Sequence, residues 1–150
     1  MPQIRPAAPE DVSAIHRLIY ELAVFEKAPE QFVLTQEKLL EDGFGASPKY
    51  ICFVAEQEQT ILGMSFCYVR YSTWKGPVLY LEDLIVSESH RRKGIGRMLF
   101  QFTCDYALAN NYTRLQWQVL DWNQSAIDFY KRFNASFDPE WLNAWVELKK

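Results

Sequence analysis

Twenty consecutive residues, Y-L-E-D-L-I-V-S-E-S-H-R-R-K-G-I-G-R-M-L from Tyr80 to Leu99, constrain the fold of this chain more than any other stretch. They read as an apolar strand, a basic loop, a glycine turn and the start of a helix whose apolar face is Ile95, Leu99, Phe102 and Tyr106. Gly94 and Gly96 carry no side chain, so a ligand can approach their backbone closely. They stand at a helix start, where amides without intrahelical acceptors and the positive end of the dipole favour an anion. Arg91, Arg92, Lys93 and Arg97 surround that start. The implied ligand is a pyrophosphate. These residues alone also fit a glycine turn carrying a solvated basic run. Two other phosphate motifs are excluded: no G-x-x-x-x-G-K-[ST] occurs, and G-I-G-R-M-L lacks the third glycine of a dinucleotide fingerprint.

The flanking sequence places this unit in a sheet with helices packed on it. Gln3 to Pro6 reads as a strand. Pro9-Glu10-Asp11 opens a helix in which Val12, Ile15, Leu18, Ile19 and Leu22 form one stripe, running to about Phe25. A second short helix is expected from Thr35, its cap, to Asp42, ended by Gly43 or Gly45. Tyr50–Glu56 and Ile61–Tyr71, joined by polar residues, read as an antiparallel hairpin. Lys75-Gly76-Pro77 turns into a strand from Val78 to Val86. After the long helix, Gly94 to about Asn110, come a strand at Arg114–Val119 and a helix at Asn123–Phe133. A short strand at Ala135–Phe137 and a closing strand at Trp141–Leu148 complete the pattern. The expected organisation is one domain spanning residues 1–150.

Net charge is −3, from 16 basic and 19 acidic side chains. That balance argues against non-specific nucleic-acid binding, which draws on a basic surface. Cys52, Cys67 and Cys104 form no C-x-x-C pair, so neither a zinc site nor a disulfide framework is suggested. The first residues lack the apolar run of a signal peptide, and no apolar stretch approaches the ~20 residues of a membrane span. The expectation is a soluble, cytoplasmic protein with no metal and no membrane or nucleic-acid partner.

R-R-K-G-I-G, following its strand, resembles the [QR]-x-x-G-x-[GA] signature of the GNAT acetyltransferases. D-W-N-Q-S-A-I-D-F-Y-K-R resembles that superfamily's second segment, in which an Asn begins a helix carrying a Tyr. E-L-A-V-F-E-K, L-L-E-D-G-F-G, Y-S-T-W-K-G, Y-L-E-D, L-D-W-N-Q and F-Y-K-R are similar to the diamine (spermidine/spermine) acetyltransferases. F-E-K, S-T-W-K-G and L-D-W-N-Q look most like the thialysine branch. The resemblance implies the GNAT fold: a mixed, mostly antiparallel sheet of α/β class, with helices on both faces and a splayed central strand pair. It also implies acetyl-CoA as cosubstrate, a small cationic amine as acceptor, and a homodimer.

Residue by residue, the resemblance assigns Leu84, Ile85 and Val86 as backbone partners of the pantetheine arm, one amide also holding the developing oxyanion. Arg92, Lys93, Gly94, Ile95, Gly96 and Arg97 would hold the pyrophosphate, with Arg91 at the motif's leading position. Asn123, Gln124, Ser125 and Ala126 would contact the cofactor again, although Asn123 also fits an ordinary N-cap. Tyr130 takes the catalytic acid position, donating a proton to the departing sulfur. Glu82 would bind the substrate ammonium and relay its proton through water. Phe25 and Glu26 would contact the substrate by charge and cation–π attraction.

Strand alternation sends Glu82 and Asp83 to opposite faces, so no paired acid dyad is expected. Asp83 then partners sheet or helix groups. Glu140 is a further candidate for the substrate site. Cys104 lies inside a helix and reads as a structural thiol rather than an acyl-transfer nucleophile. The expected reaction is direct transfer in a ternary complex. Acetylation of a protein or antibiotic amine is the alternative enzyme reading, and a non-catalytic acyl-CoA-sensing module the alternative outside enzymes.

Overall fold

One five-stranded sheet takes its strands in sequence order: β1 (Gln3–Pro6), β2 (Ile51–Gln57), β3 (Thr60–Ser72), β4 (Gly76–Val86) and β5 (Leu115–Trp117). The first three junctions are antiparallel and the β4–β5 junction is parallel. The helices are α1 (Val12–Phe25), α2 (Gln36–Phe44), α3 (Ile95–Ala109) and α4 (Gln124–Lys131). This computed structural model describes residues 1–148 and divides into two units. Met1–Gln118 holds the sheet and α1 to α3; the second unit begins at Val119 and holds α4.

Alternation along β2 explains why both sheet faces are covered. Cys52 and Val54 join Val12, Ile15 and Leu18 of α1 and Leu39 of α2 in one core. Ala55 joins Ile95 and Leu99 of α3 on the other side, where Phe53 packs edge-on against Phe102 and Tyr106, both at 5.0 Å. A period of two divides the strand between two helix layers. The polar connection between β2 and β3 is a tight turn with Glu58 and Gln59 both left-handed, at φ 51° and 63°, the conformation that two-residue hairpins require.

Two bulges break the alternation. The β2–β3 register passes from Ala55↔Gly63 to Glu56↔Ile61, leaving Leu62 as the extra residue. Leu62 and Leu99 pack in the same core, and a Cβ on Gly63 would meet Leu99 Cδ1 at 3.2 Å and the Ile85 carbonyl at 2.7 Å. The bulge therefore turns two successive residues to one face, and glycine is required for the close approach. In β3–β4 the register passes from Phe66↔Asp83 to Cys67↔Leu81, so Glu82 is the extra residue.

Parallel pairing of β4 with β5 is confined to Leu79–Leu81 and Leu115–Trp117. From Glu82 to Val86, β4 continues without β5 beside it. This is the expected splay of the β4–β5 pair.

Two expectations fail. Ala135–Phe137 and Trp141–Leu148 are not strands. The alternation in the second segment is genuine, but a strand also needs a hydrogen-bonded neighbour, and no described residue forms a ladder with it. Trp141, Leu142, Trp145, Val146 and Leu148 are all at least 78% exposed.

Candidate active site

The bulge at Glu82 corrects the expectation that Glu82 and Asp83 face opposite ways. Asp83 stands opposite Phe66 in the register, and both Phe66 and Ile85 pack on the α1 side of the sheet. The extra residue brings Glu82 to the same wall. The electrostatics agree: burial pushes the Asp83 carboxyl up to about 7, with further contributions from the negative charges of Glu82 and Glu26. Glu26, which follows α1, is also raised, by burial and then by Glu82. Three carboxylates from two elements thus share one field, and a cation entering it relieves their mutual repulsion.

A stability test follows from the sign of this shift. The folded Asp83 carboxyl binds its proton more tightly than the unfolded one, whose ordinary value is near 4. The associated stability is full below that ordinary value and is lost as pH rises through about 7. Asp83→Asn should therefore gain Tm relative to wild type on going from about pH 4.5 to about pH 8. An offset independent of pH would show that Asp83 ionises normally.

The basic loop is built for backbone exposure. Ser87 N donates to Leu62 O at 2.8 Å, and a 3-10 turn at Glu88–His90 follows. Arg92 and Gly94 are left-handed, at φ 63° and 80°. A Cβ at Gly94 would meet nothing within 4 Å, so the chain there opens outward. The first α3 hydrogen bond runs from Met98 N to Gly94 O at 3.1 Å, so the Ile95 and Gly96 amides belong to the open first turn. Arg92, Lys93 and Arg97 are exposed around it. Leu84 and Val86 pack on the Ile95–Leu99 cluster, which joins the free end of β4 to the start of α3. An open left-handed glycine, outward amides and several cations fit a diphosphate.

Arg91 departs from the expected arrangement. Its Nε donates to Val86 O at 3.0 Å, and its guanidinium lies 5.4 Å from the centre of the Phe25 ring. Within the second unit, Asn123 caps α4, its Oδ1 accepting from Ala126 N at 3.2 Å. Gln124 Nε2 donates to Asp128 Oδ1 at 2.8 Å. Ser125 is exposed and Ala126 half-buried, while Tyr130 is buried, its ring 5.2 Å from that of Phe129. Glu140 is exposed, its amide bonded to Asp138 Oδ1. Burial, together with Asp105, pushes the Cys104 thiol up, the opposite of what a thiolate nucleophile needs.

The acetyltransferase (GNAT) family model matches residues 13–135. The chain belongs to that family. Among its relatives, the thialysine N-epsilon-acetyltransferase of Bos taurus is 41% identical over 140 residues, covering 88% of this chain and 82% of that protein. The spermidine/spermine N(1)-acetyltransferase-like protein 1 of Homo sapiens is 35% identical over 135 residues, covering 85% of this chain and 19% of that protein. An aminoglycoside acetyltransferase from an uncultured soil metagenomic sample superposes with a TM-score of 0.80 at 22% identity, over 99% of this chain and 97% of that one. That likeness establishes the fold. The family and branch agree with the motifs read from the sequence.

Of the residues proposed from this GNAT sequence, Glu26 and Glu82 are brought into one field, and Leu84 and Val86 are joined to the start of α3. Asp83 was missed as a member of the acidic wall. Its signal, a bulge, lies in the pairing of β4 with β3 and not in β4 itself.

Proposed function

We propose that this GNAT enzyme transfers an acetyl group from acetyl-CoA directly to the primary amine of a small cationic molecule. The acceptor is a diamine, a polyamine or a lysine-like amino acid such as thialysine. The observation that carries this reading is the acidic wall of Glu26, Glu82 and Asp83 along the part of β4 that has left β5. The names of the relatives point to the same amines. The two units act as one catalytic domain, a reading supported by the family match running through both.

Acetyl-CoA supplies an acetyl group already activated as a thioester. Arg92, Lys93 and Arg97, with the amides from Gly94 to Arg97, would hold its diphosphate, and the backbone of Leu84, Ile85 and Val86 its pantetheine arm. Asn123 to Ala126 form the second cofactor segment. Glu26 and Glu82 bind the ammonium, and Phe25 covers its methylene chain. Glu82 accepts the ammonium proton through water, freeing the nitrogen lone pair for attack. An amide of the Leu84–Val86 stretch stabilises charge on the carbonyl oxygen. Tyr130 Oη holds the proton that the departing sulfur takes up.

The enzyme works as a homodimer, a reading supported by the exposed apolar segment Trp141–Leu148. Among the described residues no helix is long and apolar enough to cross a membrane. With all three cysteines free, the proposed setting is the cytoplasm.

The test is release of CoA thiol with a panel of thialysine, lysine, ornithine, spermidine, an aminoglycoside and a peptide N-terminus. The expected result is turnover confined to the small flexible cations. Turnover confined to the peptide or the aminoglycoside would overturn small-amine specificity.

A further inference from the structure

Arg91 leads the basic motif, yet its side chain is engaged away from the first turn of α3. A 3-10 turn at Glu88–His90, closed by His90 N to Ser87 O at 2.9 Å, lets residue 91 fold back. Its Nε then meets the carbonyl of Val86, the last residue of β4. The same guanidinium faces the ring of Phe25, the last residue of α1. Glu26 follows immediately. The helix stops there because Lys27 is left-handed, at φ 64°, while Ala28 N reaches back to Ala23 O at 2.9 Å. Phe25 is itself 40% exposed.

We infer that Arg91 is a positioning residue for the amine pocket: it pins Phe25, and through it the adjoining Glu26, against the cofactor end of β4. A planar guanidinium can donate to a carbonyl at its edge while stacking on a ring at its face, and a lysine ammonium cannot do both. The diphosphate is left to Arg92, Lys93, Arg97 and the helix-start amides. This inference rests on the proposed small-amine acetyltransferase and assigns its leading motif arginine to the other substrate.

The experiment compares wild type with Arg91→Gln, Arg91→Lys, Phe25→Leu and the Arg91→Gln/Phe25→Leu double variant, all checked for unchanged melting. Calorimetry gives the Kd of CoA and, separately, of thialysine; steady-state assays give KM and kcat. Arg91→Gln is expected to raise the Kd and KM for thialysine about 2- to 5-fold, the range an exposed cation–π contact supports. The CoA Kd and kcat should change less than about 1.5-fold. Phe25→Leu should act similarly, the double variant should lose little more than either single one, and Arg91→Lys should recover part of the loss.

A loss confined to CoA affinity, or fully additive losses in the double variant, would overturn the assignment of Arg91 while leaving the acetyltransferase reading intact. Wild-type protein that binds CoA but acetylates no small amine would overturn that reading and this inference together.

Discussion

Tyr130→Phe is expected to lower kcat for amine acetylation by about 100-fold, the lower range for losing a positioned general acid. Acetyl-CoA affinity should stay within about twofold, because the variant leaves every proposed cofactor contact in place. Phenylalanine keeps the ring, and with it the packing on Phe129 within α4, and deletes one hydroxyl. A purely structural hydroxyl bond contributes about 1 kcal/mol to stability and leaves turnover per folded molecule unchanged. The two roles therefore separate cleanly in kcat against Tm. Wild-type turnover across the pH range would remove Tyr130 from the mechanism.

The parts of this site that were legible in the sequence are those carried by residue type and local spacing. Gly94 within a basic run was legible as the turn that opens α3, because glycine takes the left-handed conformation it has there without strain. Cys52 and Val54 against Phe53 and Ala55 were legible through alternation, which divides β2 between two helix layers. Asn123 was legible as a cap. What was hidden depends on pairing between distant segments. The strand Val78–Val86 gives no local sign that Glu82 is the extra residue; that fact belongs to its register against Phe66 and Cys67. A strict period of two therefore put Asp83 on the wrong face. Arg91 was hidden for a related reason. A long side chain in a basic run can reach several partners, and only the fold brings Phe25 of α1 within its span. The last segment was misread for a third reason, since alternation specifies which side chains share a face but supplies no neighbouring strand.

That last segment yields the other large expected effect. The double substitution Trp145→Ser/Val146→Ser should convert the protein from two chains to one, read as a fall in mass from twice 17.6 kDa to 17.6 kDa by sedimentation. The argument begins from what water would have to cover. In extended form, Leu142, Ala144, Val146 and Leu148 share one side, and Trp141, Asn143, Trp145 and Glu147 share the other. The five large apolar residues, each at least 78% exposed, present on the order of 800 Å² of apolar surface per chain. Each side by itself is an apolar strip of roughly a few hundred Å², the size at which surface patches mark interaction sites. A second copy is the occupant that supplies an equal area under a two-fold axis, because each copy carries the same exposed apolar segment. The substitution removes one large apolar group from each side of the segment as it would lie when extended, so the contact weakens on either face. Wild type sedimenting as a single chain at tens of micromolar would remove the dimer. A double variant that remains two chains would place the interface on another surface.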